Sequence, residues 1–182
     1  GLHLTLAGGD LLDADTVLLA TGRRPNTANI GLEAAGVRLD AQGAVVVDAH
    51  YRSSVPSIFA LGDVSTEMQL TPVATAEAMA LVDHLFGPAP GRAARTVSYE
   101  NIPTAVFTHP PVGTVGYTEE AARARFGRVT VFRTEFKPLR HTLSGRSERT
   151  LMKLVVDAAS DRVVGLHMVG ADAGEIVQGF AV

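Results

Sequence analysis

The second half of the sequence carries three strand-length runs in close succession: Val129 to Phe136, Leu151 to Asp157 and Arg162 to Val169. Only "DAASD", a turn-forming segment, separates the last two, so they read as a hairpin. Ile102 to Phe107 and Val112 to Val115 add two shorter strands around His109-Pro110-Pro111. Thr118, followed by Glu119 and Glu120, is a helix cap with acids where the helix dipole favours them. Asp172 and Glu175 resemble a capping box that opens a last helix, with Ile176, Val177 and Phe180 in its interior. The pattern is that of an antiparallel sheet with helices.

The first half is patterned differently. Leu2 to Leu6 alternate as a strand does, and Gly8-Gly9-Asp10 is a turn. Asp15 to Ala20 is a continuous run typical of a strand buried on both faces. Arg23 to Asn26 break it, Leu32 to Val37 suggest a short helix closed by Gly36, and Gly43 to Asp48 suggest a short strand. Ser57 to Leu61 predict a third buried strand, ended by Gly62-Asp63. Thr71 is a good N-cap, and Pro72 fits the first helical position, where a missing N–H costs nothing. That helix is expected to run to Phe86, bury Val73, Ala76, Ala80, Val82, Leu85 and Phe86, and stop at Gly87-Pro88. "GPAPGRAAR", Gly87 to Arg95, is the best linker in the sequence and marks a domain boundary.

A chain of 182 residues, 46% hydrophobic, can bury a core in one or two domains. No apolar run approaches the roughly 20 residues that a bilayer demands. The 16 basic and 19 acidic residues are interspersed, which leaves no basic stripe for nucleic acid. With no cysteine, the chain holds no disulfide, thiolate nucleophile or Cys-ligated metal. Its six histidines show no HExxH or other close pairing, so no metal site is expected. The opening residues lack an initiator Met and a signal pattern, and "EIVQGFAV" stops inside an apolar helical pattern. Both ends therefore read as the interior of a longer chain.

"FALGDVSTEMQLTPVATA", Phe59 to Ala76, sets a carboxylate close to a helix start. A strand ending in Gly62-Asp63 puts the acid at the carboxyl edge, where α/β sheets bind ligands, and Gly62 permits close backbone approach. Asp63 could accept a hydrogen bond from a sugar or polyol hydroxyl. The helix start offers free N–H groups and a positive dipole end to an anion or an electron-rich carbonyl. The plainer reading is that Asp63 caps a loop and Thr71 caps its own helix.

"ATGRRPN" (Ala20 to Asn26), "FALGDV", "LTPVA" (Leu70 to Ala74), "FTHPPVGTVGYTEEAA" (Phe107 to Ala122) and "TLMKLVVD" (Thr150 to Asp157) follow one another in an order that resembles the FAD-dependent pyridine nucleotide–disulfide oxidoreductases. The resemblance covers nearly the whole chain. It is closest to the branch that reduces glutathione disulfide in bacteria and plants, through LTPVA, HPPVGTVG and "HMVGADAGEIVQGFAV". It implies an α/β plus α+β fold: residues 1–25 end an NADPH-binding domain, 26–95 form a three-layer FAD-domain segment, and 96–182 form an antiparallel dimerisation domain, truncated at its end.

By the same resemblance, Gly62 and Asp63 hold the FAD ribityl chain. Gln69, Leu70, Thr71, Pro72 and Ala74 surround the pyrimidine side of the flavin, with the Thr71 N–H toward its O2. Arg23 stands where the nucleotide domains join, or is a plain surface arginine of a turn. Ala105 offers its backbone near the nicotinamide. Lys137, Leu139 and Arg140, in "FKPLRHTLSGR", are expected to meet glutathione carboxylates and backbone, Lys and Arg being natural carboxylate partners. The alternative is a solvated basic loop.

The family's GxGxxG, redox cysteine pair, NADPH-phosphate arginines and catalytic His all lie outside this chain. No catalytic residue is therefore expected in it, and alone it should be inactive. The implied parent is a cytoplasmic homodimer that uses FAD and NADPH and binds neither nucleic acid nor membrane. Siblings acting on dihydrolipoamide, trypanothione or mercuric ion are the alternatives, and LTPVA argues against the first and last. A non-catalytic dimerisation or binding module is the alternative from another class.

Overall fold

The computed structural model describes residues 1–66 and 68–182, and it divides into two compact units, Gly1–Val97 and Ser98–Val182.

In the first unit, β1 (Leu2–Thr5) and β2 (Leu11–Ala14) form an antiparallel hairpin in which Leu2 lies opposite Ala14. Its turn closes through Leu6 N–H to Asp10 O and Gly9 N–H to Leu6 O, both 2.9 Å. The strand expected at Asp15 to Ala20 does not form: among the described residues the run pairs with no strand, and Leu18 and Leu19 are 87% and 84% exposed. A strand buried on both faces needs neighbours in its sheet and layers over it, and none of the described residues of this unit supplies them.

The expected strands at 43–48 and 57–61 are reduced to isolated bridges, Leu39 with Val45 and Arg52 with Phe59. The reason is local. Asp40 Oδ1 takes the N–H groups of Gln42 and Ala44, and Asp48 Oδ1 takes those of His50 and Arg52. Donors that a ladder would use are thus spent on side chains. Leu32 to Val37 likewise wind as consecutive turns, not a helix, closed by Gly36 N–H to Glu33 O.

The helix α1 (Thr71–Phe86) ends at Gly87, whose φ of 82° suits glycine. Its inward face differs from the expected one. Val73, Glu77, Ala80 and Asp83 are buried, whereas Ala76, Val82, Leu85 and Phe86 are exposed. The buried stripe still has helical spacing, but it turns two carboxylates inward toward backbone and guanidinium donors.

The second unit is a five-stranded antiparallel sheet in the order β3-β4-β7-β6-β5. Its strands are β3 (Thr104–Val106), β4 (Val112–Gly116), β5 (Val129–Phe136), β6 (Thr150–Asp157) and β7 (Arg162–Val169). This is the expected sheet, with the hairpin through Ala158 to Asp161 in place. The helix α2 (Glu119–Phe126) is capped by Thr118, whose side chain accepts the Ala121 N–H, and Ala122 packs against Val129 and Val155. The last helix, α3 (Ala173–Ala181), packs Ala173 and Val177 on Val115 and Met168.

Strand alternation places Val131 and Val155 on the face opposite Leu154 and Met168, so α2 and α3 cover opposite faces of the sheet. Asp172 stands at the N-cap of α3 with φ of 62° and makes no side-chain cap, contrary to the expected capping box. Its carboxylate goes to Arg140 instead. Of the expected interior of α3, Val177 is buried and Phe180 exposed. No helix among the described residues is long and apolar enough to cross a membrane.

Candidate functional site

The first unit gathers the residues of the Gly-Asp turn and the helix that follows. Gly62 to Val64 form a 3-10 turn entered from an extended Leu61. Gly62 has φ of +66°, and a Cβ there would stand 3.0 Å from that of Ala74, so the turn lies directly on the first turn of α1. Only glycine meets both demands. Gly62 O accepts the N–H groups of Ser65 and Thr66, at 2.9 and 3.1 Å, and Gly62 N–H donates to Glu77 Oε2 at 2.6 Å.

Next in the chain, Asp63 is partly exposed and pairs with Arg23, Oδ2 to guanidinium 2.9 Å. The structure therefore brings together two residues that are 40 positions apart in the sequence. Exposed as it is, this pair contributes little to stability, but it aims the carboxylate.

The start of α1 differs from expectation by one residue. Leu70 is the N-cap, extended and without a side-chain acceptor, and Thr71 is already helical, with its carbonyl taking the Thr75 hydroxyl at 3.0 Å. Pro72 lies in the first turn. With no capping side chain, Pro72 lacking an N–H and the Ala74 N–H given to Leu70 O at 3.1 Å, the N–H groups of Thr71 and Val73 and the positive end of the helix dipole are what the helix start offers an acceptor. Gln69, Leu70 and Ala74 are half-buried beside that opening, while Thr71 and Pro72 are exposed.

The remaining candidates belong to the second unit. Ala105 lies in β3 opposite Gly113 and is half-buried. Lys137 is exposed and forms no ion pair among the described residues, and Leu139, 90% exposed, opens a 3-10 turn. Arg140 is bound to the Asp172 carboxylate. His141 closes the same turn and is buried, with Nδ1 3.3 Å from Glu148 O and Nε2 3.4 Å from Glu148 Oε2. The turn borders a cleft of about 370 Å³ lined by His109, Arg146 and Arg149 among others.

Three residues of structural weight are given no role of their own in the sequence reading: Glu77, Asp83 and Arg95. Asp83 accepts from the Arg95 backbone N–H and guanidinium, which ties residue 95 back to α1. The available signal was spacing, since Glu77 shares a helical stripe with Val73 and Ala80 once that stripe is known to face inward.

Residues 1–78 match a family model described as pyridine nucleotide-disulphide oxidoreductase, and residues 102–182 match the dimerisation domain of that name. Glutathione reductase of Burkholderia cepacia is 49% identical over 181 residues, covering 100% of this chain and 39% of that protein. The chloroplastic/mitochondrial glutathione reductase of Pisum sativum is 48% identical over 166 residues, or 91% of this chain and 29% of its own length. Among solved structures, the HOCl-induced flavoprotein disulfide reductase RclA from Escherichia coli aligns with a TM-score of 0.83 and 29% identity, over 94% of this chain and 39% of that one. The chain thus spans 39% or less of the length of these relatives. Both halves of the expected fold class, α/β followed by an antiparallel dimerisation sheet, are borne out by these matches.

Proposed function

Because the chain belongs to the pyridine nucleotide-disulphide oxidoreductase family, we propose that it forms part of an FAD-dependent, NADPH-oxidising reductase of glutathione disulfide. The activity is assigned to a polypeptide of the relatives' length, of which this chain supplies one wall of the flavin site and the dimerisation sheet. Residues 1–25 then end the NADPH-binding domain, 26–95 belong to the FAD-binding domain, and 96–182 join the subunits of a homodimer. The cytoplasm is the default setting for a bacterial member of this branch.

The observation that carries the flavin reading is the pairing of the glycine turn with an uncapped helix. Gly62 leaves no room for a side chain against Ala74, which sets Asp63, the next residue, close to the start of α1. Asp63 has the geometry of a hydrogen-bond acceptor for polyol hydroxyls, held in place by Arg23. The N–H groups of Thr71 and Val73 in the first turn of α1, with Gln69, Leu70, Pro72 and Ala74 around them, suit an electron-rich carbonyl oxygen. When bound, FAD supplies the two-electron relay between the nicotinamide and the disulfide. The role of the chain is to bind and orient it.

For the substrate, Lys137, which forms no ion pair among the described residues, and the exposed Leu139 are assigned to a peptide-like disulfide, and Arg140, whose guanidinium already grips the Asp172 carboxylate, would exchange to a carboxylate of the substrate. Ala105 contributes a backbone carbonyl toward the nicotinamide.

The test is disulfide-dependent NADPH oxidation by the full-length polypeptide, with glutathione disulfide compared to lipoamide and a bis-glutathionyl polyamine. Turnover confined to glutathione disulfide, and lost when Lys137 and Leu139 are replaced together, supports the assignment. Turnover with another of these disulfides removes glutathione from it, and absence of bound flavin removes the enzyme class.

A further inference from the structure

Among the described residues of the first unit, Glu77 is the most deeply buried large side chain, 1% exposed in the middle of α1. A carboxyl group withdrawn from water is costly unless its oxygens are satisfied. Glu77 Oε2 takes the Gly62 N–H at 2.6 Å, a short bond that constrains the turn as firmly as it constrains the side chain. Gly62 also presses on Ala74, where a Cβ would come within 3.0 Å. Ala74 and Glu77 are three residues apart and share one face of α1. The turn is therefore fastened to the helix at two points, and Asp63 lies one peptide beyond the fastening.

We propose that Glu77 is a positioning residue that locks the Gly62–Val64 turn onto α1, so that Asp63 and the open N-terminus of the helix meet one polyhydroxylated nucleotide in a fixed relation. This rests on the flavin reading above. Glu77 touches no ligand. It acts through the Gly62 amide, and the predicted consequence is a flavin affinity that depends on a side chain sealed away from the flavin.

The experiment uses the full-length polypeptide stripped of flavin. It measures FAD affinity by quenching of flavin fluorescence, and exchange of the Gly62 amide by mass spectrometry, in Glu77→Leu and Glu77→Gln. Leu fills the volume without an acceptor, whereas Gln keeps one. Glu77→Leu should bind FAD roughly tenfold more weakly and exchange the Gly62 amide faster, with Glu77→Gln close to wild type in both. Combined with Asp63→Asn, Glu77→Leu should cost less than the sum of the single effects, since Asp63 is already displaced. Equal FAD affinity in Glu77→Leu and Glu77→Gln, or strict additivity with Asp63→Asn, overturns the proposal. Should Glu77→Leu not fold, Glu77→Asp, whose carboxyl stops one methylene short, makes the same comparison with Glu77→Gln. A wild-type protein that takes up no FAD overturns the flavin reading, and exchange of the Gly62 amide then decides the positioning by itself.

Discussion

Asp83 and Arg95 are joined at three points: Oδ2 accepts the Arg95 backbone N–H at 2.9 Å and Nε at 2.7 Å, and Oδ1 accepts the guanidinium NH2 at 2.5 Å. The far end of a Pro- and Gly-rich segment is thereby pinned to the buried side of α1. Bidentate pairing of this kind adds direction as well as attraction.

This pair predicts a pH dependence. Hydrogen bonding from the Arg95 side chain, then from its backbone N–H, holds the Asp83 carboxyl at about 2, below the usual 3.8, against the opposing effect of burial. The stabilisation is present above the unfolded value and lost as pH falls through the folded one. The urea midpoint of wild type should therefore drop between about pH 5 and about pH 2. Asp83→Asn should start lower and change less. Parallel pH profiles for the two proteins would refute the tether.

Glu119 predicts a second acid-sensitive link, within the sheet unit. Lys153 and Arg123 donate to its carboxylate and hold it at about 2, below the usual 4.5. Glu119→Gln should loosen α2 at neutral pH, and wild type should approach the same state as acid protonates the carboxyl. Amide exchange of residues 119–126 measures both.

Gly113→Ala tests the seat of α3. An added Cβ would meet Ala173 O at 2.4 Å and Val177 Cγ2 at 2.9 Å, and the backbone oxygen cannot rotate away. The expected cost is about 1–3 kcal/mol in thermal or urea unfolding. Gly179→Ala, with open space around it on the same helix, should raise stability by about 0.5–1 kcal/mol. Equal effects at the two sites would deny that α3 packs on β4.

Thr118→Ala removes the side-chain acceptor for the Ala121 N–H. A loss of about 1 kcal/mol is expected. Thr118→Ser, which keeps the oxygen, should restore most of it in the same unfolding assay.

Asp63→Ala and Arg23→Ala separate the two partners of the candidate flavin site. Removing the acceptor should weaken FAD binding roughly 10- to 100-fold, the range for a charged hydrogen bond. Removing Arg23, whose side chain is largely exposed, should cost no more than about fivefold, because exposed pairs contribute little. A flavin titration in which Arg23→Ala equals Asp63→Ala would make Arg23 a direct ligand.

The sheet unit was legible because its information is local. Val129–Phe136 and Arg162–Val169 carry their own length and apolar content, and "DAASD" closes a hairpin wherever it is placed. The site motifs were legible by wording, but the helix begins at Thr71, one residue before the position read from the sequence, and the strand expected before Gly62-Asp63 is only an isolated bridge. The inward face of α1 was not. Reading Val82, Leu85 and Phe86 as core assumed that apolar residues choose the buried side, whereas backbone and guanidinium donors drew Glu77 and Asp83 inward.

Chain order and residue type by themselves determined where strands and helices of the second unit lie, where glycine must turn, and which family the chain resembles, since these follow from periodicity, turn chemistry and short motifs. Tertiary structure alone decided that Asp63 meets Arg23, that Asp172 serves Arg140 instead of its own helix, and that Glu77 fastens the Gly62 turn. Each depends on a donor and an acceptor far apart in the chain, and only folding makes them neighbours.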